Sequence, residues 1–265
     1  MEKILVQLVL KSFVLLSLSV ALAFCLPLGA TPVDAADHYN LEEGLPAQVV
    51  DSLPTSYRNR EIQGAFRWDH THAGGEEFRP EVRFEYGFAL NAQAELTVPF
   101  QFGEAVEDDG IGDIEVGALY NFNQESLVIP GISVSGHVEF PTSDDGKGVD
   151  TTLKFIATKT IGATATFQRV HFNAAWKHND EDRNDEREDR YVAIIGYDRA
   201  LTADLLLVVD LVREQAMEDD EESNIFETGV RYQVTPLTVL AAGVGFGFGD
   251  ESPDARIVVG FQHSF

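Results

Sequence analysis

Histidines close together in sequence are the residues with the clearest potential for metal chemistry. His70 and His72 lie two residues apart beside Asp69, so their imidazoles could share a metal ion. No third ligand lies within reach by sequence, and a solvated loop is the simpler interpretation. The sequence therefore predicts no bound metal and no cofactor at this segment.

Three further histidines, His137, His171 and His263, fall on predicted strands. Acid–base or nucleophilic catalysis needs a histidine held beside a hydroxyl, thiol or carboxylate. No flanking Ser or Asp pattern marks His137 or His171 for that role, and His263 falls on an apolar face. We therefore predict that the protein is not an enzyme.

Short amphipathic segments that would position these side chains dominate the chain from residue 59 onward. The segments are about nine to eleven residues long and alternate polar with apolar side chains, as a tilted membrane-spanning strand does. About twelve can be counted. We predict an all-β fold, namely an antiparallel up-and-down transmembrane β-barrel of about twelve strands. The clearest segment alternates Arg79, Glu81, Arg83 and Glu85 with Phe78, Val82, Phe84 and Tyr86.

The polar face of each strand would line the lumen of such a barrel. Mixed charges at these positions would either pair and fill the bore or line a wet path for solutes, and the sequence leaves both readings open. The predicted lumen-lining residues are Arg79, Glu81, Arg83, Glu85, Glu95, Glu115, His137, Glu139, Lys154, His171, Lys177 and Arg231.

Connection lengths favour a barrel over a soluble β-sandwich, whose core could also take the apolar faces. Long and short links alternate, which places every long link at one rim. The long links carry 25 of the 42 acidic residues that follow residue 35. That rim could bind divalent cations and face lipopolysaccharide, whereas a net charge of −25 argues against nucleic acid as a partner. The long links are 69–76, 101–111, 141–150, 178–190, 214–223 and 248–255.

The first 35 residues have the features of a secretory signal peptide. Lys3 and Lys11 precede an apolar run, and small residues lie near Ala35. The only cysteine, Cys25, lies in this segment, so the mature chain would have no disulfide. We predict three parts, which are a signal peptide over 1–35, an N-terminal arm over 36–58 that could enter the barrel mouth, and the barrel over 59–265.

The last strand ends on an aromatic residue. Ile257, Val259, Phe261 and Phe265 share one face, and Phe261 and Phe265 resemble the insertion signal of bacterial outer-membrane barrels. This resemblance implies the bacterial outer membrane as the location, with its lipid and the barrel-assembly machinery as partners.

The stretch from Gly110 to Lys159 resembles the outer-membrane family named for the meta-pathway of phenol degradation. The likeness rests on Gly110-Ile-Gly-Asp113 leading into a strand, on Ser135-Gly-His-Val-Glu-Phe-Pro141-Thr142, and on Leu153 to Lys159. Ser143 departs from the pattern, since a glycine commonly follows Pro-Thr. The resemblance covers roughly residues 41–265 and implies a barrel suspected of moving small, often hydrophobic, compounds across the outer membrane.

These observations predict a passive channel or transporter for a small-molecule solute, with hydrophobic or aromatic compounds among the candidates. Two alternatives stay open. One is a structural or adhesive barrel with a plugged lumen and a cation-binding acidic rim, and the other is a soluble periplasmic β-sandwich that binds a ligand.

Overall fold

A computed structural model describes the greater part of the chain after the predicted signal peptide. The predicted signal peptide, residues 1–35, lies outside the described residues. Within the described part, no helix is long and apolar enough to cross a membrane. The described residues are 36–72, 74–106, 109–143, 148–162, 167–180, 187–216, 222–249 and 251–265.

Strands with the alternating pattern predicted from the sequence form the whole wall. Twelve of them have ten or more residues, and a two-residue strand, β4, folds back on β3. The strands are β1 Arg60–His70, β2 Glu76–Ala89, β3 Ala92–Gly103, β4 Gly110–Ile111, β5 Ile114–Asn123, β6 Gly131–Phe140, β7 Asp150–Thr160, β8 Gln168–His178, β9 Asp189–Ala200, β10 Leu205–Gln215, β11 Glu222–Thr235, β12 Thr238–Gly247 and β13 Ala255–Ser264.

The sheet closes on itself. Each long strand pairs antiparallel with the next one in sequence, and β1 pairs with β13 from Glu61 opposite Ser264 to His70 opposite Ala255. Closure leaves no unpaired edge, which is the condition for strands to cross a bilayer. The predicted barrel of about twelve strands is confirmed. The sandwich alternative is wrong, since one continuous sheet replaces two packed sheets.

The wall is apolar outside and polar inside. Outward side chains such as Phe122, Ile195 and Val259 are 61%, 63% and 47% exposed, whereas the inward Glu85 and Asn173 are 0% and 1% exposed. In a water-soluble domain these two groups would exchange places, since burying apolar surface drives folding. Hydrocarbon must therefore cover the outer face.

Exposed aromatic residues mark both ends of the apolar band. Tyr120 and Tyr232 lie near one end of their strands, and Trp176, Tyr191 and Phe246 lie near the other. Such girdles fit the interfaces of a membrane, where amphipathic rings contact both headgroups and acyl chains.

The two rims differ less in link length than predicted. The loop rim carries the links 71–75, 104–113, 141–149, 179–188, 216–221 and 248–254. The turn rim carries the links 90–91, 124–130, 161–167, 201–204 and 236–237, together with Arg60 and Phe265.

Part of the difference arises because strands run further than the sequence pattern suggested. β1 and β2 extend to His70 and Glu76, which shortens the predicted link 69–76. At the turn rim, β7 ends at Thr160 and β8 begins only at Gln168, so the link between them has seven residues. Several acidic residues of the loop rim, in 107–108, 144–147, 181–186, 217–221 and 250, lie outside the described residues.

A buried ion-pair network joins the strands at the closure seam. The guanidinium of Arg256 in β13 donates to both carboxylate oxygens of Asp69 in β1, at 2.7 and 3.0 Å. It also donates to Glu227 in β11, at 3.1 Å. All three side chains are at most 7% exposed. Because these charges have little contact with water, each depends on its partners.

We expect Asp69→Ala to lower the free energy of unfolding by about 3–5 kcal/mol, because it leaves a buried guanidinium short of its counter-charge. Unfolding by urea in detergent micelles, followed by tryptophan fluorescence, measures the loss. Arg213→Ala is the matched control, since Arg213 pairs with Glu222 at an exposed site. It should change stability little. Equal losses in both variants would contradict the importance of the seam.

Candidate transport path

All twelve side chains predicted to face the lumen occupy inward positions of the wall. The alternation is clear in β2, where Arg83 and Glu85 are 8% and 0% exposed and the intervening Phe84 is 39% exposed toward the outside. Arg231, like Glu85, is fully buried.

A cavity of about 990 Å³ occupies the lumen toward the loop rim. Eight of the twelve predicted residues line it, namely Arg79, Glu81, Arg83, Glu115, His137, Glu139, Lys154 and Lys177. Glu85, Glu95, His171 and Arg231 are not part of its lining. Charged side chains therefore form a large part of the cavity wall.

Further lining residues escaped the sequence interpretation. Arg190 and Glu214 were assigned to long links, yet both lie on strands and point into the cavity. Arg67, Asp69 and Arg256 also line it. Arg67 and Arg256 alternate with apolar neighbours, which was the available signal, whereas Asp69, Arg190 and Glu214 fall in the predicted long links.

Basic side chains form one wall of the cavity. Lys154, Lys177 and Arg190 lie on the consecutive strands β7, β8 and β9. The Lys177 ammonium lies 2.7 Å from a Glu214 carboxylate oxygen, and Arg190 lies 3.8 Å from the same atom. On the opposite side of the barrel, β1 and β2 also carry arginines, and these form ion pairs with acidic residues.

The N-terminal arm, residues 36–58, crosses the lumen toward the turn rim and forms the floor of the cavity. Its backbone makes few of its own hydrogen bonds there and is held by wall side chains instead. The amides of Gln48, Val49 and Val50 donate to Glu227, Asp210 and Asn173, at 3.0, 2.8 and 2.9 Å. Buried backbone groups need such partners.

Two buried arginines hold further arm residues. Arg169 donates to Asp51 at 2.7 Å and also contacts Asp198 of β9. Arg231 donates to the carbonyl oxygens of Leu45 and His38, at 2.7 and 3.0 Å. A guanidinium supplies five donors in a fixed geometry, so one side chain can bind several arm oxygens.

Glycines in the wall make room for the arm. A Cβ at Gly196 would lie 2.4 Å from a methyl carbon of Val49, and a Cβ at Gly260 would lie 2.3 Å from a methyl carbon of Leu45. Val49 and Leu45 are themselves 1% and 2% exposed. The arm therefore packs against the bare backbone of β9 and β13.

The part of the arm that borders the cavity carries a charge into it. Glu43 lies 2.5 Å from the Lys154 ammonium. Burial alone would raise the pKa of Glu43, but the nearby charges of Lys154 and Arg83 outweigh it and lower the pKa to about 2. Glu43 is thus ionised at any physiological pH.

Two groups of described side chains are close enough together to share a metal ion. Glu95, Glu115 and His137 form the first group, where Nδ1 of His137 lies 2.9 and 3.1 Å from the two carboxylates. A protonated imidazole satisfies that arrangement without a metal. The second group contains Glu42, Glu61 and Glu85.

Comparison with solved structures shows the same fold in several membrane proteins. An outer-membrane channel from Pseudomonas putida F1 is similar over 85% of this chain and 100% of its own, with a TM-score of 0.64 at 12% identity. The KdgM porin in complex with disordered oligogalacturonate covers 77% of this chain and 99% of its own, with a TM-score of 0.56 at 13% identity. The NanC porin covers 78% and 100%, with a TM-score of 0.55 at 12% identity. At these identities the similarity shows the fold alone.

Comparison with curated protein sequences gives no match. A family profile does match, over residues 55–265, and its description is "Putative MetA-pathway of phenol degradation". The match includes the Gly110–Lys159 stretch on which the predicted resemblance rests, and that prediction is confirmed. The chain belongs to this family of putative MetA-pathway phenol-degradation proteins.

Proposed function

We propose that the protein is a passive channel in the outer membrane of a Gram-negative bacterium, and that its solute path is the lumen. The observation that carries the proposal is the charged cavity of about 990 Å³ inside a wall whose outer face is apolar. A wall packed only for stability has no need of such a space, because unfilled volume weakens a protein. The channels and porins that share the fold support the same function.

The arm would act as the constriction of this channel. In barrels of this class the short turns face the periplasm and the longer loops face outward. The turn rim then lies in the periplasm, and the cavity opens to the exterior. A solute would enter the cavity freely and meet the arm before it reached the periplasm.

Small, water-soluble solutes are the substrate class that the lining favours. Acidic and basic side chains both border the cavity, among them Glu139 and Lys177. An aromatic or aliphatic compound would gain little from such a lining, since charged groups hold their own hydration. The hydrophobic compounds expected from the family resemblance therefore fit this path less well than small polar or zwitterionic ones do.

A plugged structural barrel is the competing function, and the arm itself favours it. Its amides are bonded to the wall and its apolar side chains are seated against wall glycines. In that case the functional surface would be the acidic loop rim, which would bind divalent cations or lipopolysaccharide.

The C-terminal strand would serve assembly in either case. Phe261 and Phe265 are proposed as the residues that the barrel-assembly machinery recognises. The amide of Phe265 is bonded to the Arg60 carbonyl oxygen at 2.9 Å, so the end of the chain lies beside the first strand.

Reconstituted protein should give small, discrete conductance steps in planar bilayers and should admit small polar solutes in liposome-swelling assays. The steps should be small because the arm occupies the lumen. An absence of both conductance and swelling would reject the channel and leave the plugged barrel.

Gly196→Leu should raise the conductance, because a side chain at this position takes the space of Val49 and displaces the arm. The sheet should tolerate it, since the three nearest atoms to a Cβ at Gly196 all belong to Val49. Single-channel recording in planar bilayers measures the change. Gly136→Leu is the matched control, because Gly136 faces outward with its nearest atom 4.0 Å away, and it should leave conductance unchanged. A conductance equal to that of wild type in Gly196→Leu would show that the arm does not limit flow.

The channel should prefer cations, because acidic side chains outnumber basic ones around the cavity. Glu139→Gln should shift the reversal potential in a salt gradient toward that of a nonselective pore. Glu222→Gln is the control, since its carboxylate pairs with Arg213 on the outer face. Equal shifts in the two variants would place the selectivity outside the cavity.

A further inference from the structure

Three carboxylates meet in the lumen where the arm joins the wall. Glu42 belongs to the arm, Glu61 to β1 and Glu85 to β2, and they are 5%, 3% and 0% exposed. One oxygen of each lies within 4.8 Å of the others. Such close negative charges, removed from water, repel one another strongly.

The strand register makes this crowding unavoidable. Glu61 lies directly opposite Glu85 across β1 and β2, and Glu85 lies directly opposite Glu95 across β2 and β3. Like charges in directly opposite positions destabilise a sheet. Glu95 is relieved by His137 at 2.9 Å.

Glu42, Glu61 and Glu85 lack such a direct contact, although the positive charges of Arg231 and Arg83 lie near enough to act on the cluster. In the described part of the chain, no Lys, Arg or His nitrogen forms an ion pair with any of them. Their hydrogen-bond donors are neutral, for example Thr55, which donates to Glu85 at 2.7 Å. An ionised cluster therefore calls for an added positive charge.

Buried oxygens without a hydrogen-bond donor belong to this cluster and to the two asparagines bonded to it. Oε1 of Glu85 and Oδ1 of both Asn40 and Asn59 have neither solvent contact nor a partner. The amide nitrogens of Asn40 and Asn59 donate to Glu42 and Glu61, at 2.7 and 3.1 Å. A half-turn of either amide would direct its oxygen toward the carboxylates at little cost in shape. Left as they are, these buried oxygens carry a desolvation penalty.

We propose that Glu42, Glu61 and Glu85 bind a calcium ion, with the amide oxygens of Asn40 and Asn59 completing the site. All these ligands are oxygens, which suits calcium or magnesium and not zinc or copper. Calcium binds oxygen at about 2.3–2.6 Å, so ligands on opposite sides of the ion lie about 4.6–5.2 Å apart. The three carboxylate oxygens, which lie within 4.8 Å of one another, are close enough to share one such ion. Magnesium usually retains several water ligands, and these side chains are at most 5% exposed, so calcium fits the site better.

The ion would clamp the arm to the wall. Of the three carboxylates, Glu42 alone lies in the arm, so calcium would tie the arm to β1 and β2. This consequence rests on the proposed channel function, in which the arm is the constriction. Calcium would then hold the channel in its narrow state, and its removal would free the arm.

Calcium binding can be measured on the full mature chain, refolded in detergent without lipopolysaccharide and stripped with EGTA. Titration with CaCl2 in a calorimeter should give one saturable event. Glu42→Gln should weaken it at least about tenfold, because a charged ligand is lost. Glu43→Gln is the matched control, since it removes the adjacent arm carboxylate, which binds Lys154, and it should bind calcium as wild type does.

Wild-type protein provides a second measurement that depends on no variant. CaCl2 should raise its unfolding temperature more than MgCl2 at the same concentration. The absence of a saturable event, unchanged binding in Glu42→Gln, or an equal effect of MgCl2 would each overturn the calcium site.

Conductance separates this site from the channel function. EGTA should increase the current through wild type and Glu43→Gln, and the current through Glu42→Gln should respond only at calcium concentrations about ten or more times higher. Calcium binding without conductance under any condition would keep the site and reject the channel. Conductance without calcium binding would reject the site and keep the channel.

Discussion

The pairing of β1 with β13 is the constraint on which the rest of the structure depends. A bilayer offers no hydrogen bonds to the backbone, so a sheet can cross it only when its first and last strands meet. Closure fixes the number of strands and thereby the width of the bore, which at twelve lies between barrels filled by side chains and open porins. The buried contact of Arg256 with Asp69 reinforces this seam from the inside.

A bore of this width is too wide for wall side chains alone to fill. At the turn rim the arm fills the remaining space. It has little regular structure of its own, so its backbone depends on side chains such as Asn173 and Asp210 of the wall. The inward polar residues thus have two tasks. Those near the turn rim satisfy the arm, and those near the loop rim line the cavity.

Sequence periodicity predicted the wall well because each strand is a local feature. A period of two places Arg83 and Glu85 on one face and Phe84 on the other whatever the partner strands are. The strand ends were less certain, since Arg190 follows Asp189 and Glu214 follows Arg213, and two successive charged residues interrupt the alternation of polar and apolar side chains. The pattern therefore ended before the strands do.

The path of the arm could not be predicted in the same way. The amide of Val49 is bonded to Asp210, 161 residues further along the chain. No local pattern encodes such a contact, and residues 36–58 have no clear period. One signal was present, since Asp210 interrupts the apolar run Leu205-Leu-Leu-Val-Val209 and Leu211-Val212. An acid at the centre of an otherwise apolar strand implies a buried partner, although not its identity.

The contacts that hold the arm also limit what the lumen can pass. Each amide held by the wall must exchange that partner for water if the arm is to move, and the net loss is modest for a single hydrogen bond, about 0.5–1.5 kcal/mol. Apolar contacts such as Val49 against Gly196 add to it. Flow past a fixed arm is restricted to the space beside it, whereas flow past a displaced arm uses the whole bore. The balance between these states depends on how firmly a few buried side chains hold the arm. Among these side chains, the carboxylates at the junction of the arm with β1 and β2 are the ones whose hold on the arm an ion could change most.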